Sequence, residues 1–284
     1  MNYHYHFAGL DFRVELPGGL ALRDQRQLGA FESVPGEDPH VFRFELTEAL
    51  PAPEGELLAN EGGFRVYGTG DSRARYIGSV ADGWEPAYIR AEHLGKNHHI
   101  LLKKSQFPEF VGTHTILTAL QLEHLVPQAD GVVLHASFVA SDGKAILFTA
   151  PSGTGKSTQA ELWKQLRGAE IVNGDRCVMR LHGDQVLAEG IPFSGSSTYC
   201  ENRRKPLAAI VYLGQAPKTT IRPLEGAEAF FRVWEGCSIN TWEPEDVGTV
   251  SAIVENILGR VPVFRLDCRP DESAVKALEE ALRR

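Results

Sequence analysis

Ala150–Thr158 reads APSGTGKST, and this stretch decides the fold of the chain. The apolar run Ala145–Phe148 precedes it, and Gln159–Leu166, which has helical propensity and an apolar face, follows it. A strand, a glycine-rich loop and a helix in this order are the context in which such a loop binds phosphate groups. The stretch therefore predicts a nucleotide-binding site, against the alternative of a merely tight turn between a strand and a helix.

Each residue type in the loop has a chemical reason. Gly153 and Gly155 lack a Cβ, so nearby N–H groups can converge on a polyphosphate at the positive end of the following helix. Lys156 can reach the β- and γ-phosphates, and the Ser157 hydroxyl can coordinate the Mg²⁺ that bridges them. We expect Lys156 to face solvent until a ligand arrives, so that its removal costs little stability. The residues expected to bind nucleotide in the loop are Ser152, Gly153, Thr154, Gly155, Lys156, Ser157 and Thr158.

One position departs from the general pattern G-x-x-x-x-G-K-[ST], because Ala150 stands where the pattern has its first glycine. The core Ser-Gly-x-Gly-Lys-Ser is intact. The Leu-Ser-Gly-Gly-Gln signature of ABC-type ATPases and the Asn-Lys-x-Asp motif of GTPases are both absent from the sequence. These two classes of phosphate-loop protein are therefore excluded.

Charge and hydropathy exclude further classes. The chain has 29 Lys and Arg against 37 Asp and Glu, a net charge of −8, so no global field favours nucleic acid or an anionic membrane. Its apolar stretches are far shorter than the roughly 20 residues of a membrane helix. The first residues lack the basic and apolar regions of a secretory signal. We expect a cytoplasmic protein with no nucleic-acid or membrane partner.

The cysteine pattern favours buried free thiols over a zinc site or a disulfide framework. The sequence contains no C-x-x-C pair, which both structural zinc sites and redox motifs commonly use. The four cysteines are Cys177, Cys200, Cys237 and Cys268.

The pattern along the chain indicates two domains. Phe12–Leu16, Val41–Leu46 and Phe64–Tyr67 alternate apolar and polar residues between glycine and proline breaks, which predicts half-buried strands. We expect residues 1–110 to form an antiparallel β-rich domain and residues 111–284 a nucleotide-binding domain. Apolar residues at helical spacing over 112–125 predict one helix that joins them.

A hairpin is expected directly before the loop. Val132–Ala140 and Ala145–Phe148 flank a turn at Asp142 and Gly143. His135, in the first of these strands, lies 21 residues before Lys156. The HPr kinase/phosphorylase family has a histidine at the same distance before the same Ser-Gly-x-Gly-Lys-Ser core. The chain therefore resembles that family over this stretch.

The resemblance covers about residues 130–270. Glu170–Arg176 is similar to a short strand that ends in paired aspartates in that family, and here Gly174 replaces the first aspartate while Asp175 keeps the second. Glu189–Gly195 and Pro206–Leu213 look like the HPr-kinase-related kinases associated with modified-peptide gene clusters. The N-terminal half does not match the first domain of the HPr enzyme.

The resemblance implies a fold shared with phosphoenolpyruvate carboxykinases, in which a twisted mixed sheet carries the loop. The expected fold class is therefore α/β (α+β). It also implies an ATP- and Mg²⁺-dependent kinase that acts on a hydroxyl, with a serine of a peptide or small protein as the acceptor. The alternative is a nucleotide-binding or peptide-recruiting module without turnover, which the missing first aspartate favours. The identity of the acceptor and the state of oligomerisation, including a homo-oligomer, stay open.

The resemblance also implies roles for residues outside the loop. Asp175 is the candidate base and, with Ser157, the candidate Mg²⁺ ligand; the alternative is an aspartate of an Asn-Gly-Asp turn. His135 would contact phosphate or tune Asp175, unless it is a buried histidine satisfied by the backbone. The catalytic set is thus Asp175, Lys156 and His135. Arg176 is expected to pair with Asp175 or with substrate.

A basic turn and a hydroxyl-rich loop follow further along the chain. Arg203, Arg204 and Lys205 precede an apolar strand, and guanidinium groups suit phosphate oxygens. We expect one of the three to contact phosphate, with Arg203 and Arg204 as the nucleotide-binding candidates and a solvated turn as the alternative. Ser194–Thr198 is either a loop that closes over substrate or an ordinary loop.

Overall fold

The structure is a computed structural model that describes residues 1–23, 26–61, 63–78, 86–92, 95–195 and 197–283. The chain forms two compact units. The first comprises Met1–His6 and Leu10–Gln121, and the second comprises Phe7–Gly9 and Leu122–Arg284. No helix of the described residues is long and apolar enough to cross a membrane.

The first unit is dominated by a sheet of eight described strands in the order β1-β2-β4-β9-β8-β7-β6-β5, beside a two-stranded sheet of β3 and β10. Its described helices are α1 (Arg26–Gly29) and α2 (Thr113–Leu120). Its strands are β1 (Asn2–Phe7), β2 (Leu10–Glu15), β3 (Ala21–Arg23), β4 (His40–Thr47), β5 (Glu56–Glu61), β6 (Phe64–Thr69), β7 (Ser72–Gly78), β8 (Pro86–Glu92), β9 (Asn97–Lys103) and β10 (Phe110–Gly112).

The N-terminal half is rich in strands, but the prediction that it is antiparallel holds only in part. The strands β5 to β9 do form an antiparallel meander, but β4 pairs in parallel with both β2 and β9, and β3 pairs in parallel with β10. Period-two alternation assigns residues to the two faces of a sheet and carries no information on the direction of the neighbouring strand. The parallel pairs therefore could not be predicted from the alternation.

The second unit is a mixed α/β arrangement. Its helices are α3 (Leu122–Leu125), α4 (Lys156–Arg167), α5 (Gly226–Trp234), α6 (Pro244–Leu258) and α7 (Glu272–Leu282), with a short 3₁₀ helix at Val126–Ala129. Its strands are β11 (Gly131–Ser141), β12 (Lys144–Thr149), β13 (Glu170–Asn173), β14 (Arg176–His182), β15 (Gln185–Gly190), β16 (Arg204–Gln215), β17 (Thr220–Leu224) and β18 (Val263–Cys268).

Two long strands, β11 and β16, each take part in two sheets. The first half of β11 pairs with β14, and its second half pairs with β12 and β13. The start of β16 pairs with β15, and the rest of it runs parallel to β12 and β18. The larger of the two sheets contains both parallel and antiparallel pairs and is therefore mixed; its strands are β11, β12, β13, β16, β17 and β18. The strand β12, which leads into the glycine-rich loop, is one of its central strands.

Helices cover both faces of this larger sheet. On one face Ile146 and Phe148 of β12 belong to a core cluster with α4 and α7. On the other face Ala145 and Leu147 belong to a core cluster with α5 and α6. A strand covered on both faces is apolar throughout, which explains the continuous run Ala145–Phe148.

Several predicted elements are confirmed, and one is corrected. The hairpin before the loop is present, and Asp142 and Gly143 take the left-handed conformation that a two-residue turn requires. The predicted single helix over 112–125 is two helices, because Gln121 is left-handed, with φ of 51°, and ends α2. All four cysteines are free. Burial raises the pKa of Cys237 to about 12 and, as the main cause, that of Cys200 to about 11.

Candidate functional site

The glycine-rich loop connects the end of β12 to the first residue of α4, Lys156. Gly153 and Gly155 have φ of 79° and 119°, a region that strains any residue with a Cβ. A Cβ built at either glycine would meet no atom within 4 Å, so the loop is open on that side. The φ of Ala150 is not positive, and alanine therefore replaces the first glycine of the pattern without backbone strain.

Lys156 lies folded over its own loop. Its Nζ donates to the carbonyl oxygens of Ala150 at 2.9 Å and Pro151 at 3.4 Å, and the residue is only 8% exposed. The expectation of a solvent-facing lysine is therefore wrong, because the long side chain turns back to carbonyl groups that accept its protons. Burial lowers the pKa of Lys156, and the negative charge of Asp175 opposes this shift.

Asp175 lies between two basic side chains. Its Oδ1 is 3.4 Å from Nε2 of His135, and its Oδ2 is 3.6 Å from Nε of Arg176. The hydrogen bond with His135 is the main cause that lowers the pKa of Asp175, and the charges of His135, Arg176 and Lys156 act in the same direction against burial. The carboxylate is thus ionised well below neutral pH.

Asn173 fixes the backbone that carries Asp175. Its Oδ1 accepts the backbone N–H groups of Asp175 at 2.9 Å and Arg176 at 3.0 Å. Its Nδ2 donates to the carbonyls of Ile191 and Phe193 at 2.9 and 2.7 Å, and the residue is fully buried. The turn expected from Asn-Gly-Asp is thus present, and it is the turn that presents Asp175. Asn173 was not among the predicted site residues, although this turn motif was the signal for it.

A cavity of about 300 Å³ brings most of the predicted site residues together. Its walls come from the loop, from β11 and from the turn after β13. The described residues that line it are His135, Ser152, Gly153, Gly155, Lys156, Ser157, Thr158, Gly174, Asp175 and Ser197. Phosphate oxygens in this cavity would meet loop N–H groups, an ammonium group and hydroxyls on one side and Asp175 on the other.

A second cavity of about 580 Å³ shares Gly153, Gly155 and Thr158 with the first. Its other walls come from the ends of β16 and β18, and Thr154 lies here rather than in the first cavity. Gln215, at the end of β16, donates through Nε2 to the carbonyls of Gly153 and Thr154 at 3.4 and 3.3 Å. The loop therefore separates a small polar cavity from a larger one.

The basic turn does not reach either cavity, since none of Arg203, Arg204 and Lys205 is among the described residues that line them. Arg203 pairs instead with Glu170 and Glu201, both at 2.8 Å. Arg204 and Lys205 lie at the start of β16, opposite Glu189 and Ala188 of β15. Of the hydroxyl-rich loop, Ser197 lines the small cavity, and Ser196 lies outside the described residues.

This geometry defines an α/β protein with a glycine-rich loop of the phosphate-binding type and a carboxylate in the cavity beside it. A family model described as SynChlorMet cassette protein ScmC matches residues 113–269, more than half of the chain. The chain belongs to the ScmC family.

Among solved structures, the Hpr(Ser) kinase/phosphatase from Coxiella burnetii is similar at 13% identity and a TM-score of 0.33, over 53% of this chain and 88% of that chain. A similarity this low supports no inference about activity. No curated protein matches the chain.

Proposed function

We propose that this protein is an ATP- and Mg²⁺-dependent phosphotransferase that acts on a hydroxyl group, with a serine of a peptide or small protein as the acceptor. One observation carries the proposal: Asp175 lines the same 300 Å³ cavity as Lys156 and Ser157 of the glycine-rich loop. Phosphoryl transfer needs positioned phosphates, neutralisation of their charge and a group that orients the attacking hydroxyl. The residues that line this cavity include a candidate for each of these tasks, which supports the proposal.

The residues fit a magnesium nucleotide. Mg²⁺ in such sites is held by one or two protein groups, with phosphate oxygens and water as its other ligands. Ser157 and Asp175 would supply those protein groups. Lys156 would exchange its two carbonyl partners for phosphate oxygens, which are stronger acceptors of a charged donor. The larger cavity on the other side of the loop has the volume to take the nucleoside.

The charge state of Asp175 supports a specific role for it. A carboxylate with a lowered pKa is a weak base. It is therefore better suited to orienting the acceptor hydroxyl and binding Mg²⁺ than to removing the hydroxyl proton before the phosphoryl group is transferred. His135 is the main cause of the lowered pKa of Asp175, and its Nε2 lies 3.4 Å from the carboxylate. We therefore assign Asp175 the positioning of the acceptor and a late acceptance of its proton.

The proposal is tested with the purified full chain, MgATP labelled in the γ-phosphate, and synthetic serine peptides. The expected result is transfer of label to peptide, dependent on Mg²⁺. Binding of MgATP without transfer of label to any peptide, metabolite or water would contradict the phosphotransferase. That result would support the second candidate, a nucleotide-binding or peptide-recruiting module, which the glycine at position 174 favours.

A further inference from the structure

Ser197 lines the small cavity together with Lys156 and Asp175, and it lies outside the glycine-rich loop. The residue is half-buried. The described residues Ser194, Gly195, Ser197, Thr198 and Tyr199 are called the serine segment below. An acceptor hydroxyl of the proposed reaction would have to enter this cavity, and Ser197 is a hydroxyl residue already at its wall.

Two glycines allow the segment to come this close. A Cβ built at Gly174 would lie 2.1 Å from the Ser197 Oγ, so Ser197 fills the space that a side chain at position 174 would need. A Cβ built at Gly195 would lie 2.6 Å from Cγ of Asp175, and Gly195 has φ of 55°. The segment therefore contacts both Gly174 and the carboxylate of Asp175 in a way that only glycine permits.

Hydrogen bonds hold the segment in place. The backbone N–H and the Oγ of Ser197 both donate to the carbonyl of Ser194, at 3.1 and 2.8 Å. Tyr199 donates to Glu161 of α4 at 2.8 Å and accepts from Lys164 of α4 at 2.8 Å. Because α4 begins at the loop, the same helix positions both the loop and the segment.

We infer that Ser197 is a site of self-phosphorylation by a nucleoside triphosphate bound at the glycine-rich loop; this inference rests on the proposed function. The Ser197 Oγ forms a bond to the γ-phosphorus, and the bond from that phosphorus to the β,γ-bridging oxygen breaks. The leaving oxygen keeps the electron pair, so the diphosphate departs as ADP when ATP is the donor. In the structure the Ser197 hydroxyl donates to the carbonyl oxygen of Ser194. In the reaction its proton passes to the Asp175 carboxylate.

Ser194 and Thr198, the described serine and threonine beside Ser197, are less suitable acceptors. Ser194 is buried and Thr198 is exposed, and neither is among the described residues that line the cavity. A phosphate on Ser197 adds a charge of about −1.5 to −2 beside Asp175 and the loop. This charge repels a second nucleotide, so the reaction limits itself to one phosphate per chain.

The experiment incubates the full chain with labelled MgATP and no other acceptor, and maps acid-stable phosphate by mass spectrometry. We expect at most one phosphate per chain, on Ser197, with a rate constant independent of protein concentration because the transfer is intramolecular. Ser197→Ala removes the label, and Asp175→Asn slows its appearance. Thr198→Ala, the matched control, keeps it. Melting curves establish that each variant is folded.

The outcomes separate this inference from the proposed function. Binding of MgATP with transfer to peptide or water but no phosphate on Ser197 overturns the self-phosphorylation and leaves the phosphotransferase standing. Label that persists in Ser197→Ala also overturns it. Absence of MgATP binding overturns both together.

Discussion

At the residue scale, the centre of the candidate site is Asp175, which lies between His135, distant in sequence, and the adjacent Arg176. The resemblance of Glu170–Arg176 to a strand that ends in paired aspartates made Asp175 a candidate from the sequence. For Asn173 the turn motif was a local signal, but its contact with Phe193 was not predictable. Gly195 had no such signal, because its contact with the Asp175 carboxylate exists only once the chain is packed.

Removal of the Asp175 charge tests its role. Asp175→Asn should leave nucleotide affinity within a few-fold and lower transfer by ~10²-fold or more, the lower end of what a positioned acid–base group contributes. Affinity and label transfer are measured on the same preparation. Asp184→Asn, in the exposed turn between β14 and β15, is the matched control and should change neither. Unchanged transfer in Asp175→Asn would exclude this aspartate from the reaction.

The coupling of His135 to Asp175 predicts a change in titration. His135 is the main cause of the lowered pKa of Asp175, so His135→Ala should raise that pKa towards the ordinary value of about 3.9. As pH falls, the variant then loses its carboxylate charge at a higher pH than the natural chain. The measurement is an NMR titration of carboxyl carbons in ¹³C-aspartate-labelled protein, with the Asp175 signal assigned from Asp175→Asn. An unshifted titration would mean that the histidine does not stabilise the carboxylate.

At the scale of elements, the backbone of the loop requires glycine for conformation rather than for space. Gly155→Ala should destabilise the fold by about 1–3 kcal/mol, because alanine is strained at φ of 119° even though no atom obstructs its Cβ. Gly248→Ala, at an exposed position inside α6, is the matched control and should stabilise by about 0.5–1 kcal/mol. Denaturant unfolding measures both. Equal effects of the two substitutions would contradict the loop conformation.

The elements around the loop were predictable because their signals are local. The turn at Asp142 and Gly143, the apolar run of β12 and the apolar face of α4 each lie within a short window of sequence. The parallel pairing of β4 with β2 and β9 is different, since it joins strands that are far apart in the chain. Periodicity within a strand gives no information about such partners.

At the scale of the whole molecule, the family match and the candidate site coincide. Residues 113–269 include the glycine-rich loop, His135, Asp175 and Ser197. The first unit lies almost entirely before this match and has its own sheet of eight described strands. Every residue of the proposed reaction lies in the second unit.

Titration calorimetry of the full chain with MgATP tests the central claim that the loop binds a nucleotide. We predict Mg²⁺-dependent binding that Lys156→Ala weakens about tenfold or more, because hydrogen bonds from a charged donor contribute about 1.5–3 kcal/mol. Lys144→Ala, at the exposed start of β12, should bind as the natural chain does. Circular dichroism checks that both variants are folded. Undetectable binding by the natural chain, or equal affinity in Lys156→Ala, would contradict the claim.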